Sequence, residues 1–346
     1  MKMTKYAATA FKESMEEFLI CSLFSENEIQ VFLVPVFSFL YTRGNYGINE
    51  HKRRLIIMTK QEFQQLSQTL LLLDGATGSN LMAAGMPKGV CTETWILEHP
   101  DIFRNLQKEY AQAGSQVVYA PTFGANPISL AQHHLEDQTE ELNRRLVQLS
   151  RDAVQGKAYI AGDITTTGKL MEPLGEMSYE EAFDSYCRQI QVLSECGVDF
   201  LAAETMISLD ETLAALDAAQ SVCQLPVLCS LTVEADGSLF TGGNVIDACA
   251  ALEAAGASAV GINCSVGPDQ LVSVVKNIRE SVSIPVVAKP NAGMPEITDK
   301  GEALYKMTPE EFAGHMKVLV EQGASIVGGC CGTTPEHIRC LSRILN

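Results

Sequence analysis

From Leu70 onward, short and nearly continuous apolar runs alternate with longer stretches in which apolar residues recur every three or four positions. The short runs are LLLLDG (70–75), QVVYAPTFG (116–124), AYIAGDI (158–164), DFLAAET (199–205), PVLCSLTV (226–233), AVGINCS (259–265), PVVAKPNAG (285–293) and ASIVGGCC (324–331). Runs this short and this apolar are the pattern of strands buried on both faces of a parallel sheet. The longer stretches, such as DIFRNLQKEYAQAG (101–114), YEEAFDSYCRQIQVLSECG (179–197) and TPEEFAGHMKVLVEQG (308–323), have the period of amphipathic helices. The last opens on a Thr cap with Glu three residues later and closes on Gly. Gly114, Gly197, Gly256 and Gly323 recur at the same point of the repeat, between a helix and the next strand. Eight such units predict an α/β protein, a (β/α)8 TIM barrel. A doubly wound open sheet is the alternative, and the even spacing of eight units favours closure.

The first 57 residues do not share this pattern. They hold six of the thirteen Phe residues, and seven Lys and Arg against six Asp and Glu. The apolar run from Ile29 to Tyr41 contains Pro35 and is shorter than the roughly 20 residues of a membrane span. Glu13, Glu16 and Glu17 precede it and no small-residue cleavage site follows, which argues against a signal peptide. The domain expectation is therefore an N-terminal extension, 1–57, followed by a barrel, 58–346. Met58 opens a stretch that reads as an ordinary start, three residues after Arg53-Arg54. The extension is read as the product of an upstream start codon; an extension packed on the barrel is the competing reading.

Composition narrows the function classes. Apolar residues make up 46% and charged residues 19%, which suits a globular protein with a large core. The net charge of −17 argues against nucleic acid and against an anionic membrane surface as partners. Eleven cysteines, an odd number with no disulfide-like spacing, suit a reducing, cytoplasmic setting.

In a barrel the active site lies at the C-terminal ends of the strands. Here those ends carry the chemistry: Asp74-Gly75 on the first, Asp163 on the third, Glu204 on the fourth, Asn263-Cys264 on the sixth, Asn291 on the seventh and Cys330-Cys331 on the eighth. The sixth and eighth strands are separated only by the seventh, so Cys264, Cys330 and Cys331 can meet on one metal ion. The glycines around the vicinal pair give its backbone the freedom this needs. Three soft sulfur ligands point to zinc with one open position. A redox-active cysteine pair and a structural zinc module are the alternatives. Zinc already carrying three thiolates is a poor activator of water, but it deprotonates a fourth thiol and keeps it electron-rich. Asp74 and Glu204 could grip the ammonium of an amino-acid substrate, and backbone N–H groups near Gly75 and Ala76 could take its carboxylate. No P-loop or dinucleotide fingerprint is present.

LLLDGATGSNL, APTFGAN, AAETM, GINCSVGPDQL, KPNAG and VGGCCGTTPEHI together resemble the homocysteine-binding domain of the homocysteine S-methyltransferases, from about Leu70 to the C-terminus. The last of these is the most specific. The resemblance implies that Cys264, Cys330 and Cys331 hold catalytic zinc. It implies that Asp74 and Glu204, with Gly75, Asn263 and Asn291 beside them, bind homocysteine, and that an activated methyl donor converts it to methionine. Within the family the chain looks most similar to the first module of cobalamin-dependent methionine synthase. Betaine-using members have Tyr where this chain has Gly124, and S-methylmethionine-using members have Arg where it has Gly332. Both departures imply a methyl-corrinoid or methylfolate-linked donor. With the barrel closing at Asn346, the corrinoid is expected on a separate protein; a sulfonium or quaternary-amine donor is the alternative.

Overall fold

The computed structural model describes residues 58–298 and 303–345. The expectation for the 1–57 extension lies outside the described residues.

Eight parallel strands form the sheet: β1 (Leu71–Leu72), β2 (Val117–Tyr119), β3 (Tyr159–Ile164), β4 (Phe200–Met206), β5 (Val227–Leu231), β6 (Ala259–Asn263), β7 (Val286–Lys289) and β8 (Ala324–Val327). Their spatial order is β1-β8-β7-β6-β5-β4-β3-β2. The seam between β1 and β2 is joined at Gln116. Its backbone N–H donates to Leu72 O at 2.8 Å, and its side-chain oxygen accepts from Leu72 N at 2.9 Å. The sheet is thus a (β/α)8 barrel rather than an open sheet. Each run expected to be a strand contains one.

The helices start and stop where local chemistry directs. Tyr179–Glu195 and Pro309–Glu321 begin with capping boxes, Ser178 with Glu181 and Thr308 with Glu311. Each box satisfies two N–H groups that the first turn leaves without intrahelical partners. Gly114, Gly197, Gly256 and Gly323 all have positive φ, the left-handed turn that ends a helix and sends the chain back to the barrel. One element has no counterpart in the apolar pattern: an antiparallel hairpin, Glu296–Ile297 with Ala303–Leu304, inserted after β7. Its strands are two residues long and exposed, too short to show alternation.

Two apolar layers hold the fold. The outer one lies between strands and helices. The inner one fills the lower half of the barrel with Leu71, Leu73, Val117, Tyr119, Ala161, Phe200, Ala202, Leu228, Ala259, Val287 and Ile326. The helix Lys60–Leu66 closes the bottom. Its Phe63 is fully buried and meets the Phe200 ring edge-on at 5.0 Å, and Met58 joins the same cluster. Side chains along a strand alternate between faces, so the inward columns can be followed upward. Above Ala161 comes Asp163, above Ala202 Glu204, above Leu228 Ser230, above Gly261 Asn263, and above Val287 Lys289. The inner layer changes from apolar to polar within one step on five strands.

Candidate active site

The Sγ atoms of Cys264, Cys330 and Cys331 all lie within 4.8 Å of one another, and Cys264 and Cys331 are 3.5 Å apart. A tetrahedral zinc with Zn–S bonds of about 2.3 Å needs sulfurs about 3.8 Å apart, so the three thiols fit one such ion. The backbone is shaped to achieve this. Cys264 has φ +48°, a left-handed conformation rare for a residue with a Cβ. Its N–H donates to Lys289 O at 3.2 Å and its carbonyl accepts from Thr232 Oγ1 at 2.8 Å. Cys330 N donates to Pro290 O, and Cys331 O accepts from Ala292 N. Both ends of the pair are therefore tied to the loop after β7. Gly328 admits no side chain, since a Cβ there would lie 2.7 Å from Asp74 O. Gly332 has φ +81°, and a Cβ on it would strike the Tyr305 ring.

Hydrogen bonds from Cys264 and Cys330 pull the Cys331 thiol well below its usual range, and Tyr305 and Lys289 add to the pull. The same contacts push Cys264 up.

Below the thiols lies a buried cage of charge. Asp74 accepts from Tyr119 N at 2.8 Å through Oδ2. Lys289 Nζ lies 3.2 Å from Glu204 Oε2 and 3.8 Å from Asp74 Oδ1, and 4.6 Å above the Tyr119 ring. Burial pushes the Asp74 carboxyl up to about 7 and that of Glu204 up to about 6, in both cases against the pull of Lys289. Burial, then the charge of Glu204, pushes Asp163 well above the carboxylate range. Burial would lower Lys289, but the charges of Glu204 and Asp74 outweigh it and hold the ammonium form. Three acids around a single lysine leave a site short of positive charge.

The acceptors agree. Asp74 Oδ1, Asp163 Oδ1 and Asn291 Oδ1 are buried and receive no hydrogen bond. Such groups are costly unless a ligand supplies the donors.

The structure therefore brings Asp74, Glu204 and the three cysteines to one end of the barrel, with Gly75 and Asn291 beside them. Asn263 is a brace. Its Oδ1 accepts from Thr205 N and Ser230 Oγ at 2.7 and 2.8 Å, and its Nδ2 donates to Thr205 Oγ1 at 2.7 Å. These bonds hold Thr205 at φ +58°, next to Glu204. Ala76 N–H donates to Thr333 Oγ1 at 3.0 Å, so this expected donor for a substrate carboxylate is already engaged. Gly75 is glycine for want of space: a Cβ there would lie 2.7 Å from Tyr110 Oη and 2.8 Å from Thr333 Oγ1.

Lys289 and Tyr305 were not expected. Lys289 sits in the KPNAG stretch, and counting two residues on from inward Val287 would have placed an ammonium in the barrel. Tyr305 has no sequence signal, because the hairpin that precedes it has none.

Residues 71–345 match the family described as homocysteine S-methyltransferase. The methionine synthases of Mycobacterium leprae and Mycobacterium tuberculosis are each 31% identical, over 80% and 79% of this chain. The chain spans 24% of the length of each. Among solved structures, the metallated form of the homocysteine methyltransferase MmuM from Escherichia coli superposes with a TM-score of 0.69 at 23% identity, over 82% of this chain and 99% of that one. Its oxidized form gives 0.67 over 80% and 96%. At this identity the structures speak for the barrel alone, while the family match covers that barrel from its first strand to its last helix: the chain belongs to the homocysteine S-methyltransferase family.

Proposed function

We propose that this barrel transfers a methyl group to the sulfur of homocysteine, giving methionine, with zinc held by Cys264, Cys330 and Cys331. The observation that carries this reading is the joint placement of three convergent thiols and a buried acid cage with unfilled acceptors. One half suits the sulfur of an amino-thiol and the other its ammonium. When bound, zinc supplies the charge that keeps the acceptor's sulfur deprotonated at neutral pH. The protein's own groups do the rest. Asp74 and Glu204 fix the ammonium, and the cysteine loops fix where the sulfur sits. Orienting the nucleophile in this way removes much of the entropic barrier to an in-line displacement. The new S–CH3 bond forms as the bond from methyl to donor breaks, and that bond's electron pair leaves with the donor.

Two glycines bear on the donor. A Cβ on Gly124 would lie 3.0 Å from Glu93 Oε1, and one on Gly332 would enter the Tyr305 ring. At Gly332 there is no room for the larger residue of S-methylmethionine-using members, and at Gly124 a larger residue would have to displace the end of the Glu93 side chain. This supports a methyl-corrinoid or methylfolate-linked donor, with the corrinoid on a partner protein or module. The test is a donor screen on zinc-loaded protein with homocysteine as acceptor, comparing methylcobalamin, methyltetrahydrofolate, betaine and S-methylmethionine. Methionine formed from methylcobalamin is expected; no turnover with any methyl donor, on protein that holds zinc but does not bind homocysteine, would overturn the reading.

A further inference from the structure

Four buried charged side chains share the upper layer of the barrel: Asp74, Asp163, Glu204 and Lys289. Lys289 reaches Glu204 and Asp74. Among the described residues no cationic nitrogen lies within 4.0 Å of Asp163, and its Oδ1 is buried without a hydrogen bond. The alternation of β3 places Asp163 directly above Ala161 in the inward column, beside the column of Ala202 and Glu204.

Other buried acids show what a structural carboxylate looks like here. Glu211 accepts from Thr166 Oγ1, Thr167 N, Thr167 Oγ1 and Tyr186 Oη, all between 2.7 and 2.9 Å. Glu93 accepts from Gly124 N at 2.8 Å and Cys91 Sγ at 3.3 Å. Asp163 is as deeply placed and has no such support. A buried carboxylate oxygen without a donor destabilises the unliganded fold. It is compensated when a ligand brings a cation.

Lys289 sharpens the point. Its ammonium lies against the two acids assigned to the substrate's amine, so part of their charge is already used. Its side chain is enclosed, stacked over Tyr119, and leaving that place would strand the acids. Lys289 already shares the charge of Asp74 and Glu204, and a third carboxylate in the same layer lets a second cation enter without drawing on that pair. The cation in turn favours the ionised form of Asp163, which burial disfavours without one.

We propose that Asp163 is that carboxylate, and that the pair Asp163 and Lys289 sets the specificity of the site for a thiol that carries an amine. The inference deepens the homocysteine reading and rests on it. It predicts a reciprocal pattern. Asp163→Asn leaves the acceptor's ammonium competing with Lys289 for two acids. Asp163→Asn combined with Lys289→Met removes one charge of each sign and frees Glu204 and Asp74.

The experiment is calorimetric binding of homocysteine and of 4-sulfanylbutanoic acid, the same thiol acid without the amine, to the zinc-loaded full chain. Wild type should prefer homocysteine by about tenfold or more. Asp163→Asn should erase about tenfold of that preference and leave 4-sulfanylbutanoic acid binding unchanged. The double variant should restore most of it. Both variants are compared on protein whose melting transition and zinc content show it folded, because the double variant leaves Asp74 and Glu204 without Lys289. The Asp163→Asn arm alone still decides the inference if the double variant does not fold. Wild type binding both thiols equally would sink the homocysteine reading and the inference with it. A preference that survives Asp163→Asn, or a loss that Lys289→Met does not reverse, overturns the inference alone.

Discussion

The two ends of the barrel interior are built from the same strands and the same alternation, yet they obey opposite rules. At the bottom, Phe63, Leu71, Val117, Phe200, Leu228 and Val287 pack without a polar atom among their side chains. At the top, Asp163, Glu204, Ser230, Asn263 and Lys289 continue the same inward columns. The bottom contributes stability through burial at about 25 cal/mol per Å2 of apolar surface. The top works against stability: carboxyls pushed up by burial, acceptors without donors, and left-handed backbone at Thr205 and Cys264. Strain and unsatisfied polarity persist only where a rigid surround imposes them. The lower layer supplies that rigidity, and the upper layer uses it to hold buried charges and left-handed backbone in place.

The largest expected effect lies at the top. Cys264→Ser, Cys330→Ser or Cys331→Ser should each abolish methyl transfer and sharply weaken zinc binding, measured by metal analysis after dialysis. A triple variant that retains zinc as tightly as wild type would remove the metal site. At the bottom, Phe63→Ala should cost about 3–5 kcal/mol of unfolding free energy, with kcat/KM unchanged at a temperature where the variant is folded. If activity falls in step with stability, the two layers are not separable. Glu204→Gln should reverse that pattern. It should cost about 2–4 kcal/mol of transition-state binding with homocysteine, with zinc content and unfolding little altered.

Asp74 gives a smaller effect whose sign depends on pH. Its folded pKa is raised from 3.8 to about 7, so the stability tied to its protonated form is complete below about pH 4 and is lost as pH rises through 7. Asn never ionises. Without substrate, Asp74→Asn should therefore melt a few degrees above wild type at pH 8 and close to it at pH 4. Equal shifts at both values would show that Lys289, rather than burial, governs this carboxyl. The smallest effect concerns the lower end. A chain begun at Met58 keeps the whole of the Phe63 plug and should match the full chain in melting temperature and zinc content. A loss in either would extend the lower layer into residues 1–57.

Much of this was legible in the residues themselves. Eight apolar runs, four recurring glycines and a Thr-Glu cap mark strands and helix ends, because such signals are local and survive any tertiary context. Cys264, Cys330, Cys331, Asp74 and Glu204 stand at strand ends, and a closed barrel gathers strand ends whatever their separation along the chain. The hairpin after β7 was not legible, since two-residue exposed strands have no period to detect. Nor was the engagement of Ala76 N–H by Thr333, which depends on β1 and β8 meeting across 257 residues.

The sequence by itself determined the fold class and the identity of the thiols, because periodicity and residue chemistry are properties of the chain. Only the tertiary structure decided which polar residues are satisfied. Asn263 and Glu211 are used up inside the protein, whereas Asp163 Oδ1, Asn291 Oδ1 and Asp74 Oδ1 receive no hydrogen bond. Only the structure, too, put the ammonium of Lys289 between two acids. Hydrogen-bond satisfaction and charge balance are sums over neighbours drawn from every strand of the barrel, and no stretch of sequence contains those neighbours together.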